Sequence, residues 1–539
     1  MTGFEHVLWL LLLTTALSVM GRWLPWPQTI TYVLGALLVG LWPVFPHIEL
    51  EPEFFFLFFV PPLLFSDGWL MPLREFTKAR RPILILAIGL VLFTTVTVGF
   101  VAHWLVPGLP LAMAFALGAI VSPTDAIAVS AITERLKVPT RLTIILKGES
   151  LMNDATGLVA FKLALAALVA GTFSLRAATV DFTLLAGIGF GVGLAIAYLI
   201  GRIRDLLRHL RGSDPFIETT VSLMTPYAAY LAAGALGGSG ILAVVAAGLY
   251  SGWRDPVRTD VESRQTSWTV WSTVLFWLNG LAFVLLGLQF PDIFASVSHL
   301  YSTGTLVLFT LVISAIVIVG RLAWVFPGAY LPFLLSAKVR RTEKRYSWQA
   351  VLVCGWAGMR GTVTLAAALS IPLWQADGKP FPGRDLVIFL SFGVIVVTLL
   401  LQGTTLEWLI CRLGLREDDT RSQEDRLARI AAVEAGLKVL TTDQNATANP
   451  EESAALGKVV SEYETRLAEL VADGEVRANA HAHRNASRAH RLKALRAERT
   501  ALDDLWRRDV ITDDTHRPLL QLLDHEESML SENSELADT

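Results

Sequence analysis

The stretch GESLMNDATGLV, residues 148–159, places charged and polar residues inside an apolar segment that runs from about 142 to 171. Such a segment is long enough to cross a hydrocarbon core of about 30 Å as a helix. Ser150, Asn153 and Asp154 lie three and four residues apart, so they share one helix face, which must look into the protein. A charge at this depth costs at least about 2.5 to 3.5 kcal/mol and is expected to have a partner or a function.

The composition of the whole chain is that of a membrane protein. Of its 539 residues, 53% are hydrophobic, and the mean hydropathy is +0.51, which argues against a string of soluble domains. Charged residues are sparse before about residue 410 and dense after it, which predicts a transmembrane domain, 1–412, and a soluble domain, 413–539. Cys354 and Cys411 lie far apart in apolar stretches, so neither a disulfide nor a thiolate metal site is indicated.

Apolar runs of about 20 residues recur up to residue 410 and predict an all-α polytopic protein, because spanning segments must satisfy their backbone polar groups internally. The glycine-rich run GIGFGVG, residues 187–193, is predicted to be a surface for close helix packing and not a nucleotide loop. We predict about 13 transmembrane helices, near 4–21, 28–46, 53–72, 82–106, 109–132, 142–171, 180–200, 216–235, 239–252, 268–290, 303–332, 348–374 and 385–410.

The orientation of these spans follows from the basic residues in their connections. One set of alternate loops carries 20 Lys and Arg residues and the opposite set carries 3. Because positively charged loops stay in the cytoplasm, the N-terminus is predicted outside and the C-terminal domain inside, with the chain in the cell inner membrane.

The fifth span contains SPTDA, residues 122–126. Pro123 removes a backbone donor and disfavours helical geometry at Ser122, so the helix is predicted to break beside Thr124 and Asp125. Freed carbonyls next to a carboxylate suit a small hard cation such as sodium. A simple proline kink, with Asp125 merely hydrogen-bonded, is the alternative.

The twelfth span contains GMRGT, residues 358–362, in which Gly358 and Gly361 flank Arg360 and allow the helix to loosen. Glu149 lies off the face of Ser150 and Asp154, so a structural ion pair between Glu149 and Arg360 is predicted. The alternative, an anion bound at Arg360, would need a second buried cation, which Lys147 or Arg321 could supply. Breaks seven spans apart suggest two related halves, arranged as inverted repeats.

Asp154 is the predicted carrier of cation and proton in turn. It can be ionised with a cation bound, or protonated and neutral, so neither state leaves an uncompensated buried charge. A passive cation channel is an alternative, although no charge ring is visible. An intramembrane hydrolase that uses Ser150, or Asp154 with Asp125, is another.

Four motifs occur in a fixed order: FFLFFVPPLLFSDGW at 55–69, SPTDAIAVSAI at 122–132, GESLMNDATGLV at 148–159 and GWAGMRGTVTLA at 355–366. With them, roughly residues 5–412 resemble the monovalent cation/proton antiporter superfamily. The resemblance is to the electroneutral branch that holds bacterial NhaP-type sodium/proton antiporters and animal sodium/proton exchangers.

The resemblance implies a homodimer in which a scaffold domain supports a moving core. It implies that Asp154 carries the ion, that Thr124, Asp125 and Ser150 help to ligate it, and that Glu149 pairs with Arg360. Asn153 is similar to the asparagine of the electroneutral branch. Lys147 departs from the usual pattern, and Asp67 lies in a similar but not identical register, as a funnel or outer group.

The predicted function is therefore electroneutral exchange of a monovalent cation for a proton, in pH and sodium homeostasis. The metal is the transported Na⁺, held by Asp154 and Asp125, with Li⁺ as a further substrate and a potassium/proton antiporter as the alternative. No enzymatic activity, cofactor or nucleic-acid partner is expected. The transmembrane domain is expected to contact membrane lipid.

After Arg412 the chain becomes hydrophilic, and segments at 427–440, 466–472 and 491–506 have amphipathic helical spacing. They predict a helical domain. Histidines cluster in it, and histidine titrates near cytosolic pH, so a regulatory pH sensor is one hypothesis. These histidines are His481, His483 and His490, and the preferred interpretation is that they lie on a solvated helix face.

Overall fold

The computed structural model describes residues 3–24, 26–42, 52–136, 138–170, 175–343, 345–374, 381–415, 420–446, 449–472, 474–508 and 510–535. The chain divides into two compact units, Met1–Arg416 and Glu417–Thr539. The helices of the first unit are α1 Gly3–Gly21, α2 Gln28–Gly40, α3 Pro52–Trp69, α4 Leu73–Lys78, α5 Arg80–Leu84, α6 Val91–Leu105, α7 Leu111–Ile120, α8 Ala126–Arg135, α9 Thr140–Ala170, α10 Leu175–Arg211, α11 Pro215–Ala235, α12 Gly240–Arg258, α13 Val261–Ser298, α14 Thr303–Leu335, α15 Ala337–Thr342, α16 Trp348–Trp356, α17 Thr362–Leu369 and α18 Arg384–Leu413. A π-helical stretch, Ile85–Leu90, joins α5 to α6.

Long apolar helices dominate the first unit. Within the described ranges, six helices are long and apolar enough to cross a membrane, and four shorter apolar helices accompany them. A helical membrane bundle was predicted and is confirmed, whereas the number thirteen stays a prediction. The six are Arg80–Leu105, Thr140–Val169, Thr179–Leu210, Val261–Ser298, Thr303–Leu335 and Arg384–Leu413.

Two of the predicted spans are each divided into two short helices. α7 ends at Ile120 and α8 begins at Ala126, with Pro123 in the interval. α16 ends at Trp356 and α17 begins at Thr362, with Gly358 and Gly361 in the interval. Each of the four helices has ten residues or fewer, which is about 15 Å of helix and half of a hydrocarbon core. Each interval is therefore expected near the middle of the membrane, with a half-length helix on either side.

The glycine-rich run of α10 is a packing surface, as predicted. Gly189 and Gly193 face α12 so closely that a Cβ on either would overlap the carbonyl oxygens of Ser239 and Ala243. Gly187 and Gly191, on the other side of the helix, have open space around them. Missing side chains thus let the two helix backbones approach each other.

The helices of the second unit are α19 Thr420–Ala446, α20 Pro450–Val471, α21 Gly474–Arg507 and α22 Asp513–Glu535. The predicted segments 427–440 and 491–506 lie within α19 and α21, and 466–472 ends one residue beyond α20. α19 packs on α20, where the Arg426 guanidinium donates hydrogen bonds of 2.8 Å to the carbonyls of Leu470 and Val471. His490 is exposed on α21, whereas the side chains of His481 and His483 lie outside the described residues.

Candidate ion-binding site

The two helix breaks lie against each other and satisfy each other's backbone. The amide of Asp125 donates to the carbonyl of Met359 at 2.8 Å, and Nε of Arg360 donates to the carbonyl of Val121 at 2.9 Å. The approach is so close that a Cβ on Gly361 would overlap the Asp125 carboxylate. Groups freed by breaking the helices are therefore paired across the breaks, which lets irregular backbone exist inside the bundle.

α9 holds the first break through Thr124. Ser150 Oγ donates to the Thr124 carbonyl at 2.7 Å, and Asn153 Nδ2 donates to Thr124 Oγ1 at 2.8 Å. Thr124, Ser150 and Asn153 are all buried. The predicted polar face of α9 thus contacts the broken helix. The hydrogen bond from Asn153 orients the Thr124 hydroxyl.

A small cavity lies at this junction, with a volume of about 20 Å³. That is room for about one water molecule or one ion of similar size. Three carboxylates line it, those of Asp67, Asp125 and Asp154, and Asp154 is only 6% exposed. The remaining lining consists of Leu63, Leu64, Pro123, Thr124, Ser150, Gly361, Thr362, Val363 and Thr364. Carboxylate and hydroxyl oxygens around a site of this size suit a hard cation.

The predicted ion pair between Glu149 and Arg360 is wrong, because Glu149 pairs with Arg321 of α14. The pair is bidentate, with Nη1 on Oε1 and Nη2 on Oε2 at 2.9 Å, and the side chains of Arg321 and Glu149 are 0% and 1% exposed. Arg321 also donates to the carbonyls of Cys354 and Ala357, at 3.0 and 3.3 Å, which terminates α16.

The hydrogen bonds of the Arg360 guanidinium go to backbone carbonyls at the two breaks. These are the carbonyls of Val121 and Gly358, and the amide of Arg360 donates to the hydroxyl of Thr398 at 3.3 Å. Arg321 was considered only as a second cation for an anion site. Since its charge is neutralised by Glu149, that alternative loses its support.

Comparison with known proteins shows the family to which the chain belongs. A family model described as sodium/hydrogen exchanger, transmembrane, matches residues 9–412. A sodium, potassium, lithium and rubidium/H⁺ antiporter of Bacillus pumilus is 37% identical over 98% of this chain and 78% of its own length. The protein of the same name from Bacillus subtilis is 36% identical, over 95% of this chain and 76% of its own length.

The chain belongs to the sodium/hydrogen exchanger family. It is thus a multi-pass membrane protein of the NhaP-type monovalent cation/proton antiporters, as the four motifs predict, and its relatives are transporters. The exchanger is also 36% identical to an uncharacterized Na⁺/H⁺ exchanger of Escherichia coli, over 93% of both chains.

A solved structure shares the fold of this exchanger. The sodium proton antiporter MjNhaP1 from Methanocaldococcus jannaschii superposes with a TM-score of 0.61 over 76% of this chain and 98% of that one, at 19% identity. At this identity the likeness shows the fold alone, a bundle of membrane-spanning helices.

Sequence reasoning gave two residues of the exchanger too little weight. Asp67, predicted to be a funnel or outer group, lines the same cavity as Asp154. Arg321, predicted only as a possible second cation of an anion site, is the ion-pair partner of Glu149. Both carried a signal, because each is a charge inside an apolar span. Their partners could not be read from spacing, since α3 and α14 are distant from α9 in sequence.

Proposed function

We propose that this exchanger is an electroneutral antiporter that trades one monovalent cation for one proton at Asp154. The observation that carries the proposal is the cavity between the two helix breaks, which has room for about one ion and is lined by Asp154. Asp125, Thr124 and Ser150 line it too and supply further oxygens. Asp67 completes the lining from α3.

The charges around the cavity support a one-for-one exchange. Glu149 and Arg321 form a neutral pair. Three carboxylates then face two cations, which are Arg360, adjacent to the contact between Gly361 and Asp125, and Lys147, which interacts electrostatically with Asp67. The group therefore carries one net negative charge, which one monovalent cation or one proton neutralises. Either loaded state can move across the bilayer centre without an uncompensated charge.

Sodium is the proposed principal cation, with lithium and potassium as further substrates. Carboxylate, hydroxyl and carbonyl oxygens bind hard cations without an intrinsic preference for one alkali metal. The two Bacillus relatives are named for sodium, potassium, lithium and rubidium, which supports a broad selectivity here. Exchange against the proton gradient would serve sodium and pH homeostasis, and alternating access would expose the Asp154 site to each side in turn.

The proposed orientation has the N-terminus outside and the second unit, Glu417–Thr539, in the cytoplasm. The distribution of basic loops, 20 against 3, supports it. Cys411 is exposed near the end of α18, whereas Cys354 is buried. A membrane-impermeant thiol reagent should therefore label Cys411 in inside-out vesicles and spare it in intact cells. A homodimer, as the resemblance implies, is part of the same proposal.

Exchange is tested in everted vesicles that hold a preformed pH gradient, followed with a pH-sensitive dye. Addition of Na⁺ should collapse the gradient, and Asp154→Asn should abolish the response. Asp181→Asn is the matched control, because Asp181 is exposed on α10. Cation entry without proton movement would indicate a channel, and the absence of any cation-dependent proton flux would reopen the hydrolase alternative.

The one-to-one stoichiometry is tested by electrical recording on proteoliposomes adsorbed to a solid-supported membrane. Electroneutral exchange produces no sustained transport current, although the same vesicles change their internal pH when Na⁺ is added. A sustained current that depends on Asp154 would contradict the charge count.

A further inference from the structure

The first turn of α17 forms one wall of the ion cavity. Thr362 and Thr364 line the cavity and are 6% and 1% exposed. α17 begins at Thr362, directly after the second break. Because the side chains of a helix are tilted towards its N-terminus, those of this first turn are directed towards the break. No step of the proposed exchange so far uses either hydroxyl.

The two hydroxyls that the sequence assigns to the cation are already bonded within the protein. Oγ of Ser150 donates to the carbonyl of Thr124 at 2.7 Å. Oγ1 of Thr124 accepts from Asn153 at 2.8 Å and donates to Glu149 at 3.5 Å, which leaves it one lone pair. Hard cations bind several oxygen atoms at once. Further neutral oxygens are therefore needed around this cavity.

The threonines of α17 differ from threonines in the middle of a helix. A helical threonine ordinarily donates its hydroxyl to the carbonyl three or four residues before it, as Thr310 does to Leu306 at 2.9 Å. For Thr362 and Thr364 the corresponding residues are 358–361, which form the break and not a helix. The position of α17 thus takes away the ordinary local acceptors of these two hydroxyls.

The carbonyls nearest to Thr362 in sequence are engaged by other donors. The carbonyl of Gly358 accepts from the guanidinium of Arg360, and that of Met359 accepts from the amide of Asp125 at 2.8 Å. These are the carbonyls four and three residues before Thr362. Its hydroxyl is therefore available to the cavity that the side chain lines.

A threonine hydroxyl suits both loaded states of the proposed exchange. Its oxygen can ligate a cation while its hydrogen is donated to an ionised carboxylate, and the same oxygen can accept from a protonated carboxyl group. The hydroxyl carries no charge, so the net negative charge around the cavity is unchanged. Thr362 and Thr364 can thus add oxygen ligands without altering a one-for-one exchange.

We propose that the hydroxyls of Thr362 and Thr364 are neutral ligands of the transported cation. The inference rests on the proposed exchange at Asp154, and it adds the residues that set the affinity of that site for the metal ion. Na⁺ and Li⁺ approach an oxygen atom more closely than K⁺ does, so each ligand attracts them more strongly. Loss of the two hydroxyls should therefore weaken Na⁺ and Li⁺ binding more than K⁺ binding.

The test exchanges each hydroxyl for a methyl group in the double variant Thr362→Val/Thr364→Val. The rise in melting temperature of the purified full-length protein, titrated with NaCl against choline chloride, measures cation binding without transport. The half-saturating Na⁺ concentration should increase about tenfold or more, the effect of one lost polar contact or more. Thr364→Val alone should give a smaller increase, and it serves as the second variant if the double variant does not fold.

Two controls separate the oxygen ligand from packing. Thr362→Ser/Thr364→Ser keeps both oxygens and should stay within about threefold of the wild type, since it loses only methyl groups. Thr310→Val removes a buried hydroxyl that is bonded within its own helix and should leave the half-saturating concentration unchanged. Asp154→Asn should abolish the Na⁺-dependent stabilisation, which assigns the signal to this cavity.

The same variants in the vesicle assay should show a raised KM for Na⁺ at a nearly unchanged maximal rate. An unchanged half-saturating concentration in the valine variants would overturn the ligand assignment, and so would an equal loss in the serine or Thr310→Val variants. Either result alongside normal wild-type exchange leaves the proposed function intact. Na⁺-dependent stabilisation of the wild type without any Na⁺-driven proton flux would instead overturn the proposed exchange.

Discussion

The amide of Asp125 donates a 2.8 Å hydrogen bond to the carbonyl of Met359, so the broken helix pair α7–α8 is tied directly to the broken pair α16–α17. Arg360 makes the reciprocal contact with Val121. The cavity with Asp154 lies where these two breaks meet α9 and α3. Movement of one break relative to the other would therefore reshape the cavity, which makes the junction the natural place to perturb transport.

Gly361→Ala should disrupt this junction. The added Cβ would overlap the Asp125 carboxylate, and overpacking of this kind costs about 1 to 3 kcal/mol. We expect the initial rate of Na⁺-driven proton release in proteoliposomes to fall about tenfold or more. Gly187→Ala, which adds a methyl group to open space on α10, should leave the rate unchanged. A Gly361→Ala protein with a normal rate would show that the contact is not required.

The pairing of Glu149 can be measured by a double-mutant cycle. Arg321→Met leaves a buried carboxylate without its partner and should lower the free energy of unfolding by about 3 to 5 kcal/mol. Adding Glu149→Gln should restore part of that loss, because the orphaned charge is removed. The measurement is SDS-induced unfolding in mixed micelles. The parallel cycle of Glu149→Gln with Arg360→Met should give a much smaller coupling energy. A larger coupling energy with Arg360 than with Arg321 would favour the pair predicted from sequence.

The sequence predicted the helical membrane fold and most of the residues that line the cavity, because both predictions depend on the cost of charge and of unpaired backbone in a membrane. That cost made Pro123, Asp154 and the glycines around Arg360 conspicuous without any knowledge of neighbours. The energetic cost of a buried charge indicates only that Glu149 needs a cationic partner. It does not say which one, since Arg321 and Arg360 were equally acceptable in charge.

Distance decided the choice that sequence left open. Arg360 is held by carbonyls of the two breaks, whereas Arg321 approaches Glu149 from α14. Asp67 was undervalued for the same reason, since the position of α3 beside α9 has no signature in spacing. The tail shows the same limit. His490 lies on an exposed surface, whereas His516, which the sequence did not single out, contacts Asp503.

Ser213 and Asp260 provide a pH-dependent test at the end of the membrane unit. The hydroxyl of Ser213 donates to Asp260 at 2.6 Å, and this bond, followed by bonds from Ser263, lowers the pKa of Asp260 to about 2. A lowered pKa in the folded state stabilises the protein above the ordinary value near 4, and this contribution is lost as the pH falls towards about 2.

Ser213→Ala should therefore lower the free energy of unfolding at pH 7 by at most about 1 kcal/mol, because Asp260 is only partly buried. The melting temperature should fall accordingly. The difference from the wild type should shrink as the pH is lowered from about 4. Ser272→Ala is the control, since Ser272 bonds only to a carbonyl of its own helix. A difference that stays constant with pH would mean that the hydroxyl acts without Asp260.

His516 joins α21 to α22 in the second unit. Its Nε2 lies 2.9 Å from Oδ1 of Asp503, and its ring stacks on Trp506 with centroids 5.1 Å apart and planes at 20°. Its side chain is buried. The stacking on Trp506 and the hydrogen bond to Asp503 together stabilise the packing of α22 on α21 by about 1 to 3 kcal/mol.

His516→Ala should therefore accelerate amide hydrogen exchange along α22 by about tenfold or more, as measured by mass spectrometry on the full-length protein. His490→Ala should leave exchange unchanged, because that side chain is exposed. An unchanged rate of amide exchange along α22 in His516→Ala would show that the contacts of His516 with Asp503 and Trp506 do not hold α22 on α21.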